Sequence, residues 1–404
     1  MKIFLLFAAC TLAGQALEQR GFIENRALLF PQTTTNDSAR VTDQAQIRWD
    51  ASWRVAAWLK LNGGIEVRAD THRQVAREFS INFDDRTLTK PSLSMRTLSA
   101  NLHKGKVTAE LGRQIIRWGK TDILTPTDRF APRDYLASVV DSDFLGVSAA
   151  RVTIADRGNS LDLVWQPWFT PSRTPLFNQR WTALPPQASG VAIVDQGSNY
   201  PGRSQFGARW NQVLPRGEYS VSFFDGFNHL PSFNSAVDPI SRTARTQRFF
   251  PRMRMLGGDA AVPFSWFTLK GEAAHFSSST PGVQNYSLYV IQVERQIKEW
   301  SLVGGWAGEI VAGNTINAPR FAPDRGFAKS LVARAGLAID ANRSLAIETA
   351  VRSGGSFLRF EYAQAYGQHW RVTPGIAWIR GNTDDFLGQY RRNSYFSLAL
   401  RYSF

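Results

Sequence analysis

The chain has 404 residues, with 47 Lys and Arg against 33 Asp and Glu and a net charge of +14 at pH 7. Hydrophobic residues make up 43% and the mean hydropathy is −0.25, which excludes a bundle of membrane helices, yet aromatic residues reach 12%, more than an ordinary core uses. In a cytosolic chain such a basic balance would point to nucleic acid; an export signal argues against that partner and leaves anionic solutes or phosphate groups.

Residues 1–16 carry Lys2, an apolar run from Ile3 to Ala13, and the small residues Gly14 and Ala16 at the positions a signal peptidase reads. They are expected to be a cleaved secretory signal, with the mature chain 17–404 beginning at Leu17. Cys10, the one cysteine, falls inside that run. Reading Phe7-Ala8-Ala9-Cys10 as a lipoprotein site would leave too short a signal, so the mature chain is expected to carry no cysteine and no disulfide.

From there the chain divides into segments of about ten residues with period-2 alternation. Strands are predicted near 21–31, 43–53, 59–71, 92–103, 106–118, 144–155, 160–170, 203–213, 217–228, 247–260, 265–277, 284–296, 299–311, 327–340, 343–353, 355–366, 369–381 and 392–404. Leu161, Leu163 and Trp165 alternate with Asp162 and Gln166, and Phe206, Ala208 and Trp210 with Arg209 and Asn211; the first, third and tenth segments alternate poorly. Turns at 103–106, 156–160, 214–217 and 340–343 are short, whereas links near 72–91, 119–143, 171–202, 229–246, 312–327 and 382–391 are long. Trp53, Trp58, Trp210, Trp266, Trp300 and Trp370 flank the short turns, and Trp118, Trp168 and Trp378 lie toward the long links, which suggests two interfacial belts. The expected fold is all-β: an up-and-down antiparallel transmembrane β-barrel of about 18 strands, with 16 as the alternative. A soluble sandwich would explain the strands but not the loop asymmetry, and strands beginning this early leave no room for the plug of a 22-strand transporter.

The last strand has Phe396, Leu398, Leu400, Tyr402 and Phe404 on one face and ends on that aromatic. It resembles the closing strand of Gram-negative outer-membrane barrels, where such a terminus is an assembly signal; the resemblance implies the barrel-assembly machinery as a partner. Gly112-Arg113-Gln114-Ile115-Ile116-Arg117-Trp118-Gly119, followed by Pro126-Thr127-Asp128 and Ala131-Pro132-Arg133-Asp134, resembles porin-like proteins of the Gram-negative outer membrane, including a family classed as a domain of unknown function; Gly21-Phe22-Ile23-Glu24-Asn25 is similar to that family's first strand. The similarity covers about a quarter of the chain. It implies an integral protein of the bacterial outer membrane, with both termini periplasmic, the long loops extracellular, and lipid and lipopolysaccharide as neighbours. It also implies that the third extracellular loop, 119–143, is folded into the lumen, as in classical porins, but it supplies no substrate.

That loop contains Asp122, Asp128, Asp134, Asp141 and Asp143, with Arg133 beside Asp134. Facing it, Arg209, Arg334, Arg359 and Arg401 occupy positions that alternate with apolar ones, and Arg252 and Arg254 do so less cleanly. An arginine facing lipid at mid-membrane costs a few kcal/mol, so all six are expected to line the lumen, and an acidic loop opposite a basic wall would set a transverse field across a constriction. For any single Asp, capping a turn or pairing with Lys120, Arg129 or Arg133 is the plainer reading. Arg113 shares its parity with Leu111, so its face stays open.

The five histidines are scattered at turn or loop edges with no metal-ligand spacing, and Asp122, Asp128 and Asp134 lack the dense ligand pattern of a calcium loop. No nucleophile motif, phosphate loop or dinucleotide fingerprint occurs, so neither an enzyme nor a metal or cofactor site is expected. The expected function is passive passage of small solutes with an anion bias. The alternatives are a conduit for a larger or hydrophobic solute, suggested by Leu176, Phe177, Trp181, Leu184 and the run Val191 to Val194, and a non-conducting adhesin or scaffold. Whether subunits form a homo-oligomer is open at this level.

Overall fold

The structure is a computed structural model that describes residues 17–80, 83–122, 124–182, 191–312 and 321–404. The expected signal, residues 1–16, and Leu184 of the apolar loop lie outside the described residues. Eighteen antiparallel strands form a closed barrel. Numbered by barrel position, they are β1 (Leu17–Leu29), β2 (Val41–Ala56), β3 (Leu59–Asp70), β4 (Lys90–Lys104), β5 (Val107–Gln114), β6 (Val147–Asp156), β7 (Asn159–Gln166), β8 (Gln205–Leu214), β9 (Gly217–Phe227), β10 (Arg252–Pro263), β11 (Thr268–Ser277), β12 (Asn285–Ile297), β13 (Trp300–Ala312), β14 (Ser330–Ala338), β15 (Arg343–Arg352), β16 (Gly355–Tyr366), β17 (Trp370–Gly381) and β18 (Tyr395–Ser403).

The barrel closes where sequence ends meet. β1 pairs antiparallel with β18 from Leu29 opposite Phe396 to Phe22 opposite Ser403, and Gly21 and Phe404 exchange backbone hydrogen bonds of 2.9 and 3.0 Å. Hydrocarbon offers nothing to bond an open sheet edge, so closure satisfies every ladder group. At the end of the barrel that holds both termini the connections are mostly tight. Asp340, for example, accepts 2.8 Å bonds from the N–H groups of Asn342 and Arg343, the local bonding that favours Asp in such turns. At the opposite end the connections are long, apart from residues 353–354 between β15 and β16 and the shorter link 278–284 between β11 and β12.

Each strand presents alternate residues to lipid and lumen. Ile23, Ile47, Ile65, Leu163, Phe206, Leu256, Trp306, Leu358 and Leu398 stand exposed on the outer wall, the placement expected of a wall solvated by lipid. The inner wall is polar toward the short turns but apolar toward the long loops. There Phe224, Met253, Met255, Phe276 and Leu288 from the strands pack with Ile116, Trp118, Leu124 and Phe130, and Val332, Phe357 and Ile379 pack with Tyr135, Val139, Trp181 and Tyr390. The core of the molecule is therefore inside the barrel and is built largely by loops that fold inward. At about 1.5–3 kcal/mol for each fully buried large apolar side chain, this packing stabilises the loops in place.

Three expectations change. Trp118 is not in a belt: it is 2% exposed, because β5 stops at Gln114 and the chain turns inward, where the indole packs edge-on to Phe130 at 5.2 Å and donates to Asp162 at 3.2 Å. β10 starts at Arg252 rather than near 247, since Thr243–Phe249 belongs to a separate three-stranded sheet with Ala192–Asn199 and Ser232–Asp238. β18 starts at Tyr395 because Gly388–Asn393 forms a 3-10 turn.

Candidate functional site

The site is built on the segment between β5 and β6, which crosses the inside of the barrel. It begins at Gly112, whose φ of +118° and approach to the Leu98 carbonyl leave no room for a Cβ. Arg113 follows. It keeps the parity of Leu111 yet is 2% exposed, because residues 83–85 lie over it and Asp85 pairs with its guanidinium at 2.8 Å. From Arg117 the segment folds on itself: Asp128 accepts from the Trp118 and Gly119 N–H groups at 2.5 and 2.7 Å and pairs with Arg117 at 3.3 Å.

The folded segment is then fastened to β11. The Glu272 carboxylate accepts from the N–H and hydroxyl of Thr127, both at 2.8 Å, from the hydroxyl and N–H of Thr121 at 2.8 and 3.1 Å, and from the Lys120 N–H at 3.0 Å. No cation of a described residue lies within 4 Å of Glu272, so hydrogen bonds alone offset the cost of burying its charge. Asp122 reaches β12, accepting from the Gln292 amide at 2.7 Å, with Lys270 at 3.8 Å.

The second half of the segment crosses to the opposite wall. Arg133 lies over the Phe144 ring at 4.1 Å. Asp134 sits among Arg173 at 3.3 Å, Lys90 at 3.5 Å and Arg68 at 3.9 Å; burial pushes its pKa up, but Lys90, Arg173 and Arg68 outweigh burial and hold it at about 2. Asp141 pairs with Arg26 of β1 at 3.2 Å and Arg359 of β16 at 3.4 Å. His229, expected at a solvated edge, is instead buried and stacked on Phe169, with its ring nitrogens 2.6 and 2.7 Å from the Thr170 and Arg129 carbonyl oxygens. Burial lowers its pKa to about 4, against the two carbonyl contacts, which raise it.

Of the arginines expected to form a wall, the structure brings Arg359 to the segment, where it also pairs with Glu348 at 2.5 Å. Arg401 faces inward on Glu24 at 2.5 Å and over Phe22 at 4.2 Å, and Arg209 pairs with Asp259 at 2.9 Å. Arg334 shares the inward parity of Val332 and has no carboxylate of a described residue within 4 Å. Arg252 and Arg254 do not line the lumen. They share a face with exposed Leu256, pair with outward Asp225 at 3.0 and 3.4 Å, and leave the inward positions to Met253 and Met255, which pack with Phe130. Nor do Asp122, Asp128 and Asp134 form one acidic face: the first is bonded to β12, the second is turned onto its own segment, and the third is enclosed by cations.

The principal cationic surface involves residues that sequence reasoning did not single out. Glu66 of β3 is only 3% exposed and gathers Arg48 at 2.6 Å, Arg68 at 2.7 Å and Arg96 at 3.4 Å. Arg48 and Arg68, with Arg26, Lys90 and Arg401, line a recess of about 200 Å³ beside the segment. A second recess, about 190 Å³ and lined by Asp122, Asp128, Arg129, Asp324 and Glu348, lies on its other side, and Asp141 borders both. Within single strands the only trace of the first recess is the i, i+2 spacing of Glu24 and Arg26, Gln46 and Arg48, and Glu66 and Arg68, which does not show that they converge.

The fold is shared with outer-membrane porins. The barrel is similar to Acinetobacter baumannii OccAB4, with a TM-score of 0.57 at 9% identity over 96% of this chain and 98% of that one. It is similar to Pseudomonas aeruginosa OccK3 (OpdO), with 0.54 at 11% identity over 96% of each chain, and to a double variant of OccD1 (OprD), with 0.52 at 9% identity over 96% and 95%. No family model matches the chain, and no curated protein matches it by sequence.

Proposed function

We propose that the chain is an integral outer-membrane channel for passive passage of small solutes, in which the segment 115–146 forms the constriction and a cationic recess biases passage toward anions. The observation that carries this reading is the segment's double fastening across the lumen, to Glu272 on one wall and to Arg26, Arg68 and Arg359 on the other, which leaves a recess on each side. Around the first recess Arg26, Arg48, Arg68, Lys90 and Arg401 exceed the lining carboxylates Glu24, Asp134, Asp141 and Asp143, so a small anion gains more there than a cation of equal size.

The test is planar-bilayer conductance of the purified chain, with reversal potentials in a salt gradient. Discrete conductance steps with an anion-selective reversal potential are expected. Conductance without that sign would remove the anion bias, and no conductance in correctly folded barrels would favour a scaffold. The apolar mouth around Trp181, Leu230, Phe357 and Tyr390 favours a second reading, a conduit for a partly hydrophobic solute, which predicts low ion conductance together with uptake lost on deletion.

A further inference from the structure

The outer wall carries a polar break in its apolar surface. Trp165 of β7, Phe206 of β8, Asp225 of β9, Arg254 of β10 and Ser277 of β11 stand opposite one another in turn, so they form one row around the barrel. Arg252 is the first residue of β10 at the long-loop end and Arg254 lies two residues further along, which puts both near the rim where an interfacial girdle stands. Trp165 and Phe206 are exposed on the same outer wall, and the row itself slopes with the tilt of the strands. The two guanidiniums are two residues apart on one face, about 7 Å by strand rise. Among the described residues their one carboxylate partner is Asp225, so the three groups carry a net positive charge.

The surroundings suit an amphiphile. On the hydrocarbon side of the row lie Phe223 and Leu256, the latter 61% exposed. The Ser277 hydroxyl opposite Arg254 has no partner among the described residues, and His275 with Ser287 extends the polar strip. Two guanidiniums and a hydroxyl at headgroup height, above exposed apolar side chains, match a phosphorylated head on acyl chains: guanidiniums bind phosphate through paired N–H donors, and the chains complete the contact below.

We propose that Arg252 and Arg254 hold the phosphate head of an anionic membrane lipid against the outside of the barrel, with Phe206, Phe223 and Leu256 receiving its acyl chains. This rests on the membrane location proposed above. It assigns the two arginines a role outside the lumen and makes a phosphorylated lipid, rather than a second copy of the chain, the occupant of this wall.

The experiment titrates the full-length protein in a nonionic detergent with diphosphoryl lipid A, followed by native mass spectrometry, alongside fully dephosphorylated lipid A and inorganic phosphate. Phosphate-dependent binding of lipid A is expected. The Arg252→Gln/Arg254→Gln pair should weaken it about tenfold, and Asp225→Asn, which frees both guanidiniums, should tighten it. Both variants should keep the heat-modifiable barrel and the wild-type conductance. Equal binding of the dephosphorylated lipid, unchanged affinity in both variants, or displacement by millimolar inorganic phosphate alone would overturn the lipid assignment. A change of oligomeric state in the double variant without a change in lipid binding would overturn it in favour of contact between copies. Failure of the wild type to fractionate with outer membranes would instead defeat the location.

Discussion

Thr127 gives both its backbone N–H and its hydroxyl to the same carboxylate oxygen of Glu272, each at 2.8 Å, across 145 residues of sequence. With the three bonds from Lys120 and Thr121, this makes Glu272 the point at which the lumenal segment is fixed to the wall. Glu272→Gln replaces an acceptor oxygen with an NH2 that confronts donors. At about 1–3 kcal/mol for each buried group left unpaired, the variant is expected to release the segment while the strands stay closed. The heat-modifiable barrel should persist, with a lower midpoint on denaturation and a larger, noisier single-channel conductance. Thr127→Val, which removes one hydroxyl, should cost about 1 kcal/mol and leave conductance near wild type. Unchanged conductance in Glu272→Gln would show that the segment is held elsewhere.

Asp134 makes the other fastening dependent on pH. Its pKa of about 2 lies below the usual value of 3.8, so the folded chain holds a proton there less readily than the unfolded chain does. The stabilisation is therefore fully present above the unfolded pKa and is lost as pH falls from about 4 to 2, amounting to about 2 kcal/mol. Asp134→Asn should abolish this acid limb. At neutral pH the same change leaves Lys90 and Arg173 facing a neutral amide and should cost about 3–5 kcal/mol, the range for breaking a buried pair. Urea unfolding in detergent between pH 2 and 7 checks both; parallel acid limbs in wild type and variant would refute the assignment.

The barrel was readable because its two solvents differ. Where the lumen is polar, as at Leu161, Leu163 and Trp165 against Asp162, alternation marks strand and face together. Arg252-Met253-Arg254-Met255 alternates equally well, but the usual assignment of Met to lipid and Arg to lumen is reversed, because Phe130 and its neighbours fill the interior there with apolar side chains. Nothing within one strand records what a distant loop puts inside the barrel. The cationic recess was hidden for the same reason: Arg26, Arg48 and Arg68 converge only when β1, β2 and β3 lie side by side, and Lys90 and Asp134 arrive from elsewhere.

Closure at the seam depends on a residue without a side chain. A Cβ on Gly21 would lie 2.5 Å from the Phe404 ring and 2.7 Å from the Arg48 carbonyl oxygen, so ring and backbone confine it together. Gly21→Ala is expected to strain the seam by about 1–3 kcal/mol, the usual cost of overpacking. Phe404→Ala removes the ring but leaves the carbonyl contact, so adding it to Gly21→Ala should restore only part of the loss. Deletion of Phe404 should lower the yield of heat-modifiable barrel in outer membranes. Undiminished yield would remove its role in assembly.

Arg334 offers a clean test of the anion bias, because no carboxylate of a described residue within 4 Å depends on it, whereas removing Arg48 or Arg68 would leave the buried Glu66 undercompensated. Arg334→Gln is expected to move the reversal potential toward cations without loss of stability. Adding Arg401→Gln should move it further, at some cost to the pair with Glu24. Both shifts should shrink as salt rises from 0.1 M to 1 M, because the Debye length falls from about 10 Å to about 3 Å. Arg254→Gln is the control: its guanidinium lies on the outer wall, so selectivity should not change. Equal shifts from Arg254→Gln and Arg334→Gln would mean that net charge alone sets the potential, and no shift in any variant would place the selective surface away from these arginines.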